Sequence, residues 1–358
     1  MNISRILLVR LREIGDVVFT TPAIRALRHQ FPDAYIAYVV EPHAAPVVAG
    51  SPHLNRVIVA PRQRGARGLA ADLSLGRALR ASRYDLAIDF HGGPRASLLT
   101  WLSGARERIG YEVAARSWMY TGRVARPRAL RARHSVENQW DLLESLGIAR
   151  PDRRRDPVEM PADAGVAAAV ASRLAAAGVA SDDRLVVMHV SAGNPFRRWP
   201  FEHFVQTAAA LARTRRCRVV VTSGPSERDA AERVIAAARA AVGAAGEDDT
   251  ARILSCGEFS LAELRALLDR AAVFVGGDSG PLHIASTSPA AIVGLYGPTL
   301  PARSAPWRDP ARLALAIEPA DLPCRPCNQR VCAPGDFRCL TLIQPGPVVE
   351  AALRCLQT

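Results

Sequence analysis

The chain has 358 residues, 49% apolar and 22% charged, a globular balance with enough length for two domains that each bury a core. No apolar run approaches the roughly 20 residues that span a bilayer, and the first, ILLV at 6–9, is bracketed by Arg5 and Arg10, so neither a secretory signal nor a membrane span is expected and a cytoplasmic location follows. The net charge is +12, all 46 Lys-or-Arg positions being Arg, and the 6% of aromatic residues do not interleave with the Arg clusters, which argues against nucleic acid as a partner.

Residues 3–11 read as a short buried strand. They run through Arg12-Glu13-Ile14-Gly15-Asp16 into residues 17–31, where Val17, Val18, Ala23, Ile24 and Leu27 suit one helix face and Pro22 either kinks the helix or marks its true start. Strand-like runs follow at 35–40, 56–60 and 85–90, separated by helical or loop segments such as 69–82, and residues 62–67 read as a mobile basic loop. Residues 106–133 are Arg-rich with poor periodicity, and 134–146 read as a helix stopped by Gly147. Residues 149–161, with Pro151, Pro157, Pro161 and five charges at 152–156, form a linker. A second alternation follows, with helices at 163–177, 201–213, 227–242 and 261–269 and strands at 184–190, 218–222, 252–255, 272–275 and 290–296. The pattern predicts an α/β class with two Rossmann-like domains, over 1–155 and 162–340, and a C-terminal helix over 341–358.

The stretch VFVGGDSGPLHIAST, residues 273–287, organises the rest. A β-rich run stops at Gly276-Gly277, Asp278-Ser279-Gly280 follow, and Pro281 opens a helical segment, where its missing N–H would be unpaired anyway. Amides at such a helix start attract anions, so a diphosphate suits Ser279 to Leu282; the alternative is an ordinary turn capped by Asp278 or Ser279. His283, one turn in, either faces the phosphates or is structural. HVSAGNPFRRWP, residues 189–200, leaves a strand and presents Ser191, Arg197 and Arg198. Paired Arg can grip a diphosphate bidentately while Ser191 hydrogen-bonds it; the alternative is a solvated basic turn with Trp199 in the core. In SGPSER, residues 223–228, Glu227 either accepts from ribose hydroxyls or simply favours the first turn of a helix. Asp16 follows the first strand, where open α/β sheets place ligand groups, and reads either as a general base or as a helix cap.

Cys324-x2-Cys327-x4-Cys332-x6-Cys339 has the opening pair of a thiolate metal site followed by two irregular spacings. Four soft ligands can hold zinc or iron tetrahedrally, or remain reduced thiols, or pair as disulfides. Cys217, Cys256 and Cys355 read as ordinary buried cysteines. The charge is also uneven: residues 1–160 hold 25 Arg against 15 acidic residues, and 161–358 hold 21 against 19. That asymmetry points to an anionic partner of the first half, an acidic glycan or a phospholipid surface ahead of nucleic acid.

Taken in order, LREIGDVVFTTPAIRALR near the start, the RRWP turn, SGPSERD, GGDSGPLHIA and GLYGPT at 294–299 resemble glycosyltransferase family 9, the lipopolysaccharide heptosyltransferase family. The resemblance covers nearly the whole chain. It implies a GT-B fold, two Rossmann-like domains facing a central cleft, with the acceptor mainly on the first and the nucleotide sugar on the second. That division agrees with the charge split, since inner-core acceptors are acidic. By the same resemblance Asp16 matches the base, and Asp278, Ser279, Gly280 and His283 match the nucleotide-diphosphate motif. Arg197 stands where many members have Lys, with Arg198 beside it, Ser191 matches a phosphate-binding hydroxyl and Glu227 the ribose contact. An ADP-heptose donor and inverting transfer to an anionic glycolipid acceptor are what the resemblance implies; a peripheral place on the inner face of the cytoplasmic membrane is expected through the basic first half, and no cofactor is expected for catalysis because fixed dipoles and Arg stabilise the departing diphosphate. The cysteine spacing resembles that of many members; one branch, the autotransporter heptosyltransferases, uses four cysteines for iron at a different spacing. Two other readings stay open: a GT-B transferase with another nucleotide sugar or a protein acceptor, and a nucleotide-sugar-binding module without catalysis.

Overall fold

The first apolar run forms β1 (Arg5–Val9), whose residues Ile6 to Val9 are fully buried, as a central strand of a parallel sheet covered on both faces must be. The computed structural model describes residues 3–125, 133–190, 194–214, 216–244, 250–327 and 329–357. The chain divides into two units, Met1–Pro161 and Ala162–Thr358.

In the first unit β1 is followed by α1 (Ile14–Val18), α2 (Thr21–Gln30), β2 (Tyr35–Val40), β3 (Arg56–Val59), α3 (Gly65–Ala81), β4 (Leu86–Asp89), α4 (Pro94–Leu102), β5 (Glu107–Tyr111), β6 (Gly122–Val124) and α5 (Ser135–Trp140). Among the described residues these strands form one six-stranded sheet, β3-β2-β1-β4-β5-β6, with every neighbouring pair parallel. The second unit contains α6 (Ala164–Ala176), β7 (Arg184–His189), α7 (Phe201–Ala212), β8 (Cys217–Thr222), α8 (Arg228–Gly243), β9 (Ile253–Leu254) and α9 (Leu261–Arg270). It continues with β10 (Val273–Gly277), α10 (Gly280–Ala285), β11 (Ala291–Leu295), α11 (Pro301–Ser304), β12 (Ala314–Ile317), α12 (Arg338–Thr341) and α13 (Pro345–Gln357). Its sheet, β12-β11-β10-β7-β8-β9, is again six-stranded and parallel among the described residues. Numbered within each unit, both sheets follow the doubly wound order 3-2-1-4-5-6. The α/β class and the pair of Rossmann-like units are therefore as expected.

Several local expectations change. Pro22 marks a true start: α1 ends at Val18, and α2 begins at Thr21 with the proline in its first turn. The basic segment expected as a loop over 62–67 is partly helical, because α3 starts at Gly65; Arg67 stays exposed, so this first turn carries no apolar mark. The helix at 134–146 splits into α5 and a 3-10 segment, Asp141–Leu146, and stops at Gly147 with φ +73°. The linker is fastened to the first unit. Val158 and Met160 are buried, the Glu159 amide donates to Thr21 Oγ1 at 2.9 Å, and Arg25 Nη1 donates to Glu159 Oε2 at 2.7 Å. At the other end α13 joins the second unit's core through Val348, Ala352 and Cys355. Among the described residues no helix is long and apolar enough to cross a membrane.

Candidate functional site

In a doubly wound sheet the crevice opens where neighbouring strands send their connections in opposite directions, at the carboxyl ends of the first and fourth strands. In the second unit those are β7 and β10. The loop after β10 is held by Asp278, which is 4% exposed and whose amide donates to Leu295 O at 3.1 Å. Its carboxylate is surrounded: Thr299 Oγ1 donates to Oδ2 at 2.5 Å, His283 Nε2 on α10 lies 3.4 Å from Oδ1, and Arg197 Nη1 lies 3.6 Å from Oδ2. Burial alone would raise the Asp278 carboxyl, but His283, Arg197 and Thr299 hold it down at about 2. Arg197 Nη1 also donates to the Asp278 carbonyl at 2.7 Å. Ser279 takes the N-cap position of α10 without capping it; its hydroxyl donates to Gly277 O at 3.2 Å instead. Gly276 has a packing reason, since an added Cβ would sit 2.8 Å from the Phe274 ring.

The loop after β7 brings Arg197 to Asp278 and places Trp199 in the core, its indole N–H donating to Ile343 O at 2.8 Å. Arg198 is exposed, with Nη2 3.9 Å from Glu227 Oε1. Glu227 itself is buried just before α8 and accepts from Ser226 Oγ at 2.7 Å. At Gly224 an added Cβ would lie 2.7 Å from Glu227 Oε2, so the Glu227 carboxylate would have to shift. Arg197, Arg198, Glu227, Asp278, Ser279, Gly280 and His283 thus belong to loops and helix starts at the carboxyl ends of neighbouring strands β10, β7 and β8. Ser191 lies outside the described residues.

In the first unit the corresponding strands are β1 and β4. Asp16 is the third residue of α1, where it takes part in a capping box: the Glu13 amide points to its Oδ2 at 3.4 Å, while its half-exposed carboxylate forms a short ion pair with Arg10. Arg10 is the residue that sequence reasoning missed, although a charge inside the run ILLVRL was the available signal. It donates to Phe90 O at 2.5 Å, and burial that disfavours its charge is more than offset by Asp16. Asp89, at the end of β4, was missed too. Fully buried, it accepts the His91 and Gly92 amides on Oδ1 at 2.8 and 2.9 Å and the Tyr120 hydroxyl on Oδ2 at 2.6 Å, shaping the loop after β4. Desolvation raises its carboxyl above the usual range.

Cys324, Cys327, Cys332 and Cys339 line one pocket with Phe196 and Phe337 and form no disulfide. Burial, with the other three cysteines, pushes the Cys339 thiol up to about 11, which keeps it protonated near neutral pH. Among the described residues no group of three or more His, Cys, Asp or Glu is arranged to hold a metal ion.

Removing the Asp278 carboxylate strands His283, Thr299 and Arg197 together. Asp278→Ala is expected to cost about 3 kcal/mol of stability, measured by denaturant unfolding. Because the folded carboxyl titrates near 2, below its unfolded value, its contribution is fully present above the usual carboxylate range and lost only as the pH falls through the folded value. The deficit should therefore still be present at roughly pH 8, far above the carboxylate range; no deficit at that pH contradicts this arrangement.

Residues 73–336 match the model of glycosyltransferase family 9 (heptosyltransferase). The chain is 30% identical over 304 residues to lipopolysaccharide heptosyltransferase 3 of Escherichia coli K12, covering 84% of each. Its fold is similar to that of the glycosyl transferase family 9 protein of Veillonella parvula, with TM-score 0.85 and 22% identity over 100% of this chain and 99% of that one. It is also similar to that of E. coli heptosyltransferase WaaC with ADP-2-deoxy-2-fluoro heptose, with TM-score 0.68 and 20% identity over 99% of each chain. The family match, spanning most of the chain and the loop motifs of the second unit, together with the 30% identical relative, establishes that this chain belongs to glycosyltransferase family 9.

Proposed function

We propose that this protein is an inverting glycosyltransferase that moves heptose from ADP-heptose to an acidic lipopolysaccharide inner-core acceptor. The observation that carries the reading is the second unit's switch point, where Arg197 is held against the Asp278 loop beside the start of α10, with Arg198 and the buried Glu227 next to it. Cations and backbone amides suit a diphosphate, and a buried carboxylate acceptor suits a ribose. Family membership and the heptosyltransferase relative support the sugar and the acceptor; the ADP-heptose analogue held by WaaC supports the nucleotide.

Asp16 takes the proton of the acceptor hydroxyl as that oxygen bonds to the anomeric carbon. The bond from that carbon to the diphosphate oxygen breaks on the opposite face, and ADP leaves. Arg10 aims Asp16 through their ion pair. The charge growing on the leaving diphosphate is met by Arg197, Arg198 and amides at the start of α10. That helix has only six residues, so individual amides matter more than a macrodipole. Asp278 and His283 act by orienting Arg197 and the loop, since an anion ringed by its own partners has no reason to approach a diphosphate. Ser191 is the phosphate-binding hydroxyl in this scheme, on the strength of the family motif. Charge stabilisation comes from protein groups and needs no cofactor; the four cysteines of the pocket, as they stand, are not arranged to hold a zinc or iron ion.

Asp16→Asn is expected to lower transfer by at least 10³-fold, roughly the effect of removing a general base, while ADP affinity, read by calorimetry, stays within about twofold. Equal loss of both would sink Asp16 as the base. The Arg-rich first half, with exposed Arg62, Arg64 and Arg67 near the start of α3, also supports peripheral binding to an anionic lipid surface. Co-sedimentation with phosphatidylglycerol vesicles should occur at about 0.1 M salt and vanish near 1 M, where the Debye length falls to roughly 3 Å; binding that ignores salt counts against the electrostatic surface.

A further inference from the structure

The cysteine-rich segment between β12 and α12 is wired to the donor loops by contacts that the transfer scheme does not use. Arg325 is nearly buried and donates to the carbonyls of Tyr296 at 3.1 Å, Gly297 at 2.6 Å and Thr299 at 3.0 Å, gripping the loop that carries Thr299 to Asp278. The Cys327 amide donates to Pro298 O at 3.0 Å, on the same loop. On the other side, Phe337 packs edge-on against Phe196 with ring centroids 5.4 Å apart. Between these anchors stands Gln329, with φ +57°, a left-handed backbone that a non-glycine residue keeps only when its surroundings hold it. Its own amide donates to Cys327 Sγ at 3.2 Å.

Gln329 Oε1 accepts twice, from Arg197 Nε at 2.8 Å and from Asn194 Nδ2 at 2.8 Å. A guanidinium has only donors, so the contact itself fixes which end of the Gln329 amide faces Arg197. Asn194 is tied back into the same turn, its Oδ1 accepting the Phe196 amide at 3.0 Å and its carbonyl the Arg197 amide at 3.0 Å. Arg197 is thereby held at two of its three guanidinium nitrogens, Nε by Gln329 and Nη1 by Asp278. A long, rotamer-rich cation fixed before the ligand arrives loses less freedom on binding it.

We propose that Gln329 is a positioning residue for the donor diphosphate, acting through Arg197, and that the cysteine-rich segment is the frame that holds Gln329 in place. This rests on the donor-site reading above. The test is a double-mutant cycle in the full-length protein, with ADP affinity measured by titration calorimetry for the parent, Gln329→Leu, Arg197→Ala and the pair. Gln329→Leu keeps the side-chain size and removes the acceptor; it should weaken ADP about fivefold, with a melting temperature close to the parent's. In the Arg197→Ala background the same change should have no effect, because the group it positions is gone. Gln329→Ala, measured the same way, guards against a clash introduced by leucine. An equal loss in both backgrounds would mean general packing and overturns the proposal. Loss with Arg197→Ala but none with either Gln329 variant overturns this proposal alone, and no loss with Arg197→Ala overturns the donor-site reading along with it.

Discussion

The second unit depends on one buried carboxylate. Asp278 is 4% exposed, and an ionised group so far from water is tolerated only when its surroundings return what hydration would have supplied. Thr299, His283 and Arg197 do so, and each comes from a different segment: the loop after β11, the short helix α10 and the loop after β7. The same interaction that makes the burial tolerable therefore registers three loops against one another. A substitution that spared the fold but removed the charge would leave Arg197 tied to this loop only through the Asp278 carbonyl.

Both sheets have the same strand order, and in both the residues with chemical promise lie at the carboxyl ends of the first and fourth strands. In the first unit these are Arg10 and Asp16 after β1 and Asp89 at the end of β4; in the second, Arg197 after β7 and Asp278 after β10. Topology sets these places before any side chain is chosen. The two units then use them differently. The first pairs a half-exposed carboxylate with a buried Arg, an arrangement suited to an ionised proton acceptor. The second buries its carboxylate and turns a cation outward, which suits an anion.

The strands at the sheet centres were legible because burial on both faces leaves continuous apolar runs such as YIAYVV and VFV. Strands β5, β6 and β12 were not, unlike the edge strands β3 and β9. β5 opens on Glu107-Arg108, β6 is three residues with Arg in the middle, and β12 has an exposed Ala316, so none shows a run or a clean alternation. The site divides in the same way. Asp278, Arg197 and Glu227 sit in small-residue turns between a strand and a helix, which a sequence displays directly. Arg10 was hidden within an apolar run, and Gln329 and Arg325 act through contacts across 132 and 26 to 29 residues of chain, which no local pattern encodes. The motif also did not display that Asp278 lies within 3.4 Å of His283 and accepts Arg197 on its carbonyl.

The most direct test of heptose transfer is mass spectrometry of the purified protein mixed with ADP-heptose and inner-core acceptors carrying zero or one heptose. A gain of one heptose mass on one of the two acceptors, with release of ADP, is the expected result and would place the enzyme's step in core assembly. No gain on either acceptor while ADP still binds would contradict the assignment of sugar or acceptor, leaving a family 9 fold whose donor and acceptor belong to another chemical class.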